Sequence, residues 1–204
     1  MRVPATLLTI LVLTLVSGLP LAAQCLPDCP ETDFDPLQNY TITLPGDCQI
    51  RVTYAKRKAC GIWQDLYIEH ISTVPSPPSP ACQAYWSMSA GDLLWLVTEQ
   101  MAQDNPMGFT KPMPGCTTDW RVIKGECWFQ RFDPLPERYS SSYCNAETCC
   151  LEAYEVCFDD CGNVSCFEPQ STYPASGELC YTDHHGDCTA ACGNPSWSKG
   201  GSCL

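Results

Sequence analysis

Tyr40-Thr41-Ile42-Thr43-Leu44-Pro45-Gly46-Asp47-Cys48-Gln49-Ile50-Arg51-Val52-Thr53-Tyr54 decides the fold class. Before Pro45-Gly46 the apolar side chains fall at every second position (Tyr40, Ile42, Leu44). After it they do so again (Ile50, Val52, Tyr54). A period of two marks a strand with one buried face, and a proline-glycine pair stops a strand. The stretch therefore predicts two strands of a sheet covered on one side.

Downstream, Trp63 to Ile71 is apolar on both faces, with Leu66 and Ile68 opposite Tyr67 and Ile71, as in a central strand. Pro75-Ser76-Pro77-Pro78-Ser79-Pro80 reads as a stiff loop. Ser89 with Asp92 three residues on forms an N-cap pair; Leu93, Leu94, Val97 and Met101 follow at helical spacing, and Asn105-Pro106 ends the run. This predicts one helix packed on the sheet. Trp120-Arg121-Val122-Ile123, Lys124-Gly125 and Glu126-Cys127-Trp128-Phe129 suggest a hairpin in which Val122 faces Cys127 and Arg121 faces Trp128. A further hairpin runs from Cys150 to Phe158, turns through Asp159-Asp160-Cys161-Gly162-Asn163 and returns from Val164 to Phe167. Adjacent Cys149 and Cys150 would point to opposite faces of that strand and take different partners. Trp63, Trp86, Trp95, Trp120 and Trp128 supply bulk for a core.

The beginning of the chain predicts export. Residues 1–23 carry one charge, Arg2, then an apolar run from Leu7 to Val16 and small residues up to Ala22-Ala23, the pattern of a cleaved signal peptide. The run is too short to span a bilayer, and no longer one follows. Residues 24–47 read as an extended proline-bearing leader and the first strand. Residues 48–204 read as a single disulfide-rich domain with a cysteine-dense subregion at 144–204.

The seventeen cysteines fit that compartment. They fall in three groups: Cys25, Cys29, Cys48, Cys60 and Cys82; Cys116 and Cys127; and Cys144, Cys149, Cys150, Cys157, Cys161, Cys166, Cys180, Cys188, Cys192 and Cys203. The pairs Cys25/Cys29, Cys157/Cys161 and Cys188/Cys192, each with three residues between, raise zinc as the competing reading. The Cys-x-x-Cys knuckles and histidines of exported zinc sites are missing, so disulfides are expected. Spacing does not give the pairing, and the odd number leaves at least one sulfur unpaired within the chain. The last sixty residues are poor in aliphatic side chains, so cross-links are expected to staple them.

The whole chain carries a formal charge of −12, and losing Arg2 with the signal makes it −13. Such acidity argues against a nucleic-acid partner. Arg51, Lys56, Arg57 and Lys58 concentrate positive charge in one stretch, read as a solvated strand face against the alternative of an anionic partner.

Recognisable catalytic motifs are absent, with no His-Glu-x-x-His, Gly-x-Ser-x-Gly, phosphate loop or dinucleotide fingerprint, and no cofactor is expected. His70 continues the alternation of Leu66 and Ile68 as a strand residue. Asp183, His184, His185 and Asp187 form the one local group of potential metal ligands, weighed against an exposed polar loop. Asp159, Asp160 and Asn163 lack the spacing of a calcium loop. Asn39 and Asn163 head formal glycosylation sequons.

Tyr54, Cys60-Gly61, Trp63, Asp65 and Tyr67-Ile68, with Cys149-Cys150, Tyr154 and Val156-Cys157, resemble cysteine-rich exported proteins of Bacteroidota-type bacteria, some of which build extracellular filaments. The resemblance implies a non-enzymatic surface or filament role and carries over no site residue. The expectation is a secreted, disulfide-rich α+β protein with an antiparallel sheet, one packed helix and a stapled C-terminal subregion. Its first function is structural or interactive, with self-association through the strand of Tyr40, Ile42 and Leu44. The alternative is a ligand- or glycan-binding module, and the third reading is a metal-assisted hydrolase centred on His184 and His185.

Overall fold

The computed structural model describes residues 33–144, 149–173 and 188–192. Its strands are β1 (Gln38–Leu44), β2 (Cys48–Ala59), β3 (Trp63–Val74), β4 (Gly115–Gly125), β5 (Cys127–Pro134), β6 (Glu137–Tyr143), β7 (Cys149–Phe158), β8 (Val164–Tyr173) and β9 (Thr189–Ala190). Its helices are α1 (Pro80–Trp86) and α2 (Ala90–Asp104). The fold is thus mostly sheet, broadly α+β, with two helices where the sequence predicts one.

All nine strands join in one sheet organised around β3. On one side β3 pairs with β2, and β2 with β1, both antiparallel and in the predicted alternation. On the other side β3 is shared. Its first half pairs in parallel with β4, which continues through β7 to β8, and its second half pairs with β6, which continues through β5 to β9. The sheet therefore forks.

A bulge accompanies the fork. Thr53 pairs with His70 and Tyr54 with Ile68, so Glu69 is an extra residue in β3. The extra residue reverses the alternation beyond it. Ile71 accordingly joins Ile68 in the main core rather than pointing away with Tyr67, and His70 leaves the face of Leu66 and Ile68. Both corrections have this one cause.

The inner face buries Ile42, Ile50, Val52, Tyr54, Ile68 and Ile71 against Leu93, Leu94, Val97 and Met101 of α2. The ends of α2 match the sequence signals. Ser89 Oγ accepts from the Asp92 amide at 3.1 Å, and Asn105, left-handed at φ 50°, donates its N–H to Met101 O at 2.8 Å. The unforeseen α1 begins at Pro80. The last proline of a presumed loop has a fixed φ and no N–H to lose, which suits a first helical position. A disulfide from Cys48 to Cys82 ties α1 to the start of β2. Trp86, Trp95, Trp120 and Trp128 are buried as expected, whereas Trp63 is half-buried and lies against Arg121.

The predicted hairpin over 120–129 does not form. Val122 is paired with Leu66 and Glu152, and Trp128 with Tyr143, so β4 and β5 belong to different arms. Gly125 is no turn residue either. A Cβ there would collide with the Cβ of Tyr143, so glycine allows the close approach of two strands, and Trp128 Nε1 donates to its carbonyl at 2.8 Å. The hairpin of β7 and β8 does form, closed by the Asp159 amide donating to Asn163 O at 2.9 Å.

Twelve of the thirteen described cysteines are disulfide-bonded, and Cys161 is free and exposed. Besides Cys48–Cys82, the bridges are Cys116–Cys157, Cys144–Cys188 and Cys150–Cys192; Cys60, Cys127, Cys149 and Cys166 are bonded as well. Zinc at Cys157/Cys161 or Cys188/Cys192 is thereby overturned, because three of those four sulfurs are spent on disulfides. Cys150 points into the inner side and Cys149 packs against the outer cluster of Ile123 and Leu151, the split expected of neighbours on a strand.

Candidate functional site

Strand alternation divides the basic stretch of β2. Arg57 faces outward yet is buried, because Asp65 lies opposite it on β3 and Arg121 lies opposite Asp65 on β4. Arg57 Nε donates to Asp65 Oδ2 at 2.8 Å; Arg121 Nε donates to Oδ1 at 2.6 Å, and its Nη2 to Oδ2 at 2.9 Å. Phe34 covers Arg57 and Trp63 covers Arg121, with ring centroids 4.5 and 4.7 Å from the guanidinium carbons. This group is structural. Its cations are buried and bound to Asp65, although Arg57 also borders the cleft beyond the β2–β3 turn.

On the inner face Lys124 Nζ lies 2.8 Å from Glu152 Oε2, and Tyr154 donates to the same oxygen at 2.6 Å. Burial and the Glu152 charge hold the Tyr154 phenol well above its ordinary range. All three side chains are buried, so they too form part of the core.

The outer face beyond the bulge differs. Register places Thr41, Arg51, Ser72, Ser140 and Arg131 in one row across β1, β2, β3, β6 and β5, and Asn39, Thr53, His70, Ser142 and Phe129 in the next. Small hydroxyl side chains occupy the middle, with guanidinium groups at the flanks. Arg51 is exposed and bonds to no described residue. Asp133 holds Arg131 at 3.0 Å and Arg138 at 3.3 Å, each through Nε, and Arg131 Nε is 3.2 Å from Ser140 Oγ. The terminal guanidinium nitrogens of both are left unengaged among the described residues. Three guanidinium groups thus face one carboxylate, on a chain whose overall charge is −12.

His70 lies within this face. Burial lowers its pKa, Arg138 and Arg131 lower it further, and Asp133 partly offsets them. Ser142 is its register partner, but His70 makes no hydrogen bond to Ser142 or Asp133, so no relay for activating a hydroxyl is assembled. The arrangement can hold an anion. It has no positioned base.

A cleft of about 750 Å³ opens beyond the β2–β3 turn, lined among others by Asp33, Asp35, Lys56, Lys58, Gln64 and Phe109. Two of its polar groups already have partners: Lys56 donates to Met107 O at 2.6 Å, and Gln64 Oε1 accepts from the Thr110 amide.

Ile42 and Leu44 are buried under β1 and Tyr40 is half-buried, while the far edge of β1 pairs with no strand among the described residues. The sequon asparagines are both exposed. Asn39 accepts from Thr53 at 2.8 Å, and Asn163 donates to Asp159 at 3.0 Å. Asp159 also accepts from the Cys161 and Asn163 amides, which holds its carboxyl below its usual range. Asp183, His184, His185 and Asp187 lie outside the described residues, as do Cys25, Cys29, Cys180, Cys203 and residues 1–23.

The outer platform is hard to read from the sequence because residues 130–143 carry no clean hydrophobic period. A signal was present in the alternation of Arg138, Ser140 and Ser142 against Tyr139, Ser141 and Tyr143, but serine at both parities blurs the contrast on which pattern reading depends. Among the described residues no helix is long and apolar enough to cross a membrane. Compared with protein-family models, curated proteins and solved structures, the chain matches none.

Proposed function

We propose that the protein is an exported, non-enzymatic interaction protein that associates with further copies of itself through β1. The observation that carries this reading is the contrast between two sheet edges. Strand β1 has seven residues, none charged and none proline, in unbroken register with β2, and no described strand pairs with its outer side. Edges of that kind are templates for another strand, and proteins that stay apart usually blunt them with charge, proline or bulges. Strand β8, at another margin, carries Glu168 and Pro169 and is offset from β7 by two register shifts. One edge is guarded and the other is open.

Antiparallel pairing of β1 with a second β1 closes a two-fold dimer; a filament needs an additional surface. Export is supported by the disulfides of the described residues, which persist in oxidising compartments. The same reading takes 144–204 as a subregion ordered by its cross-links. Two bridges already tie Cys188 and Cys192 to Cys144 and Cys150.

Light scattering during size-exclusion chromatography of the secreted protein tests the reading. Dimers should form with rising concentration, and Asn39→Lys with Thr41→Lys should abolish them by placing like charges opposite one another. Mixing that variant with Asn39→Glu/Thr41→Glu should restore a mixed dimer. A monomer at high micromolar concentration overturns the proposal, and dimers that vanish only on reduction assign association to a cysteine instead.

A further inference from the structure

We propose that the outer face of β1, β2, β3, β6 and β5 binds an acidic polysaccharide laid across the strands. The inference is independent of association through β1. It rests on Arg51, Arg131 and Arg138, which β1 does not supply.

The charge distribution is the first ground. Of the described basic side chains, Arg57, Arg121 and Lys124 are consumed in buried ion pairs, and Lys56 and Lys111 donate to backbone carbonyls. Arg51, Arg131 and Arg138 instead present nitrogens to solvent from one face. An acidic protein that gathers its accessible guanidinium groups on one surface has a local field opposite to its global one, and this selects an anionic partner for that surface alone.

The spacing is the second ground. Arg51 and Arg131 stand in one cross-strand row, three strand spacings apart, or about 14 Å. Ser72 and Ser140 between them are buried, and the Ser140 hydroxyl is engaged by Arg131 and Asp133; the half-buried Thr53, His70 and Ser142 form the row beside. Anionic groups at intervals on the ligand would meet the two guanidinium groups, while the half-buried hydroxyls and imidazole of the neighbouring row suit neutral sugar hydroxyls. The half-buried Phe129 ring lies 5.6 Å below the Arg131 guanidinium and adds an apolar patch against which a sugar ring can rest.

The spread of the charges over the face is the third. Its exposed guanidinium groups are spread over β2, β5 and β6 rather than converging on one point, so the surface suits an extended ligand rather than a compact one. A dense polyanion such as nucleic acid is disfavoured by the charge of −12 on the rest of the chain, whereas a sparsely charged polysaccharide meets the patch with less repulsion.

Binding of the secreted protein to polygalacturonate, to heparin and to uncharged dextran decides the matter, measured by calorimetry at low and at physiological salt. The acidic polymers should bind more tightly at low salt, and dextran should not bind. Arg51→Ala with Arg131→Ala should weaken binding about tenfold or more, while Lys58→Ala, an exposed cation outside the rows, should leave it unchanged. Should the double variant fold poorly, Arg51→Glu serves alone, because that side chain touches no described residue. Absence of binding to either acidic polymer, or loss equal in Lys58→Ala and Arg51→Glu, overturns the proposal. Self-association lost in Arg51→Glu without any polysaccharide binding assigns the face to a protein partner and also overturns it.

Discussion

Asp65 is gripped at both oxygens by Arg121, its register partner across the parallel pairing of β3 and β4. The two residues lie 56 positions apart in sequence, so the ion pair fixes a long-range strand pairing as well as a charge. Arg57 approaches the same carboxylate from the other side.

Asp65→Asn should therefore be far more damaging than its near-identical shape suggests. It removes the charge of the one carboxylate that both buried guanidinium groups share and leaves Arg121 without its counter-charge, for which a loss of about 3–5 kcal/mol is expected. Urea unfolding of the purified protein measures it, and a loss below about 1 kcal/mol would show that the triad is solvated.

Gly125→Ala should destabilise the junction between the two arms of the sheet. The added methyl overlaps the Cβ of Tyr143, and overpacking of this kind costs about 1–3 kcal/mol. Because the clash is with Cβ, Tyr143→Ala should fail to rescue it. A rescued denaturation midpoint in the double variant would contradict the contact.

Alkylation of the native, unreduced protein should label Cys161 and spare the twelve bonded cysteines among the described residues. Peptide mapping after labelling reads this directly. Cys161→Ser should remove that label and leave the melting temperature unchanged, whereas loss of a bridge such as Cys116–Cys157 should cost about 2–4 kcal/mol.

His70 should contribute an acid-side loss of stability. Its folded pKa lies below the ordinary 6.5, lowered by burial and then by Arg138 and Arg131, with Asp133 raising it in part. The unfolded chain takes up the proton first as pH falls. Stability is then complete above about 6.5 and declines as pH drops through that value towards the folded pKa. Chemical denaturation at pH 7.5 and 5.5 should show a larger difference for the natural protein than for His70→Gln; equal differences would remove His70 from the account.

Local chemistry determined much of this protein. Alternation around Pro45-Gly46 set β1 and β2, Ser89 and Asn105 bounded α2, and the turn through Asp159 to Asn163 joined β7 to β8, each within reach of neighbouring residues. Adjacent Cys149 and Cys150 were bound to diverge because successive strand side chains alternate. What the tertiary structure alone decided is which strand lies beside which. Alternation says which residues share a face but not what arrives next to it, so Val122 met Leu66 and Glu152 rather than Cys127. A single extra residue, Glu69, moved His70 to the other face and brought it beside Arg131 and Arg138. Arg51 and Arg57 share an outward face of β2, yet one is exposed and the other buried, because only Arg57 has Asp65 and Phe34 brought to it from elsewhere in the chain.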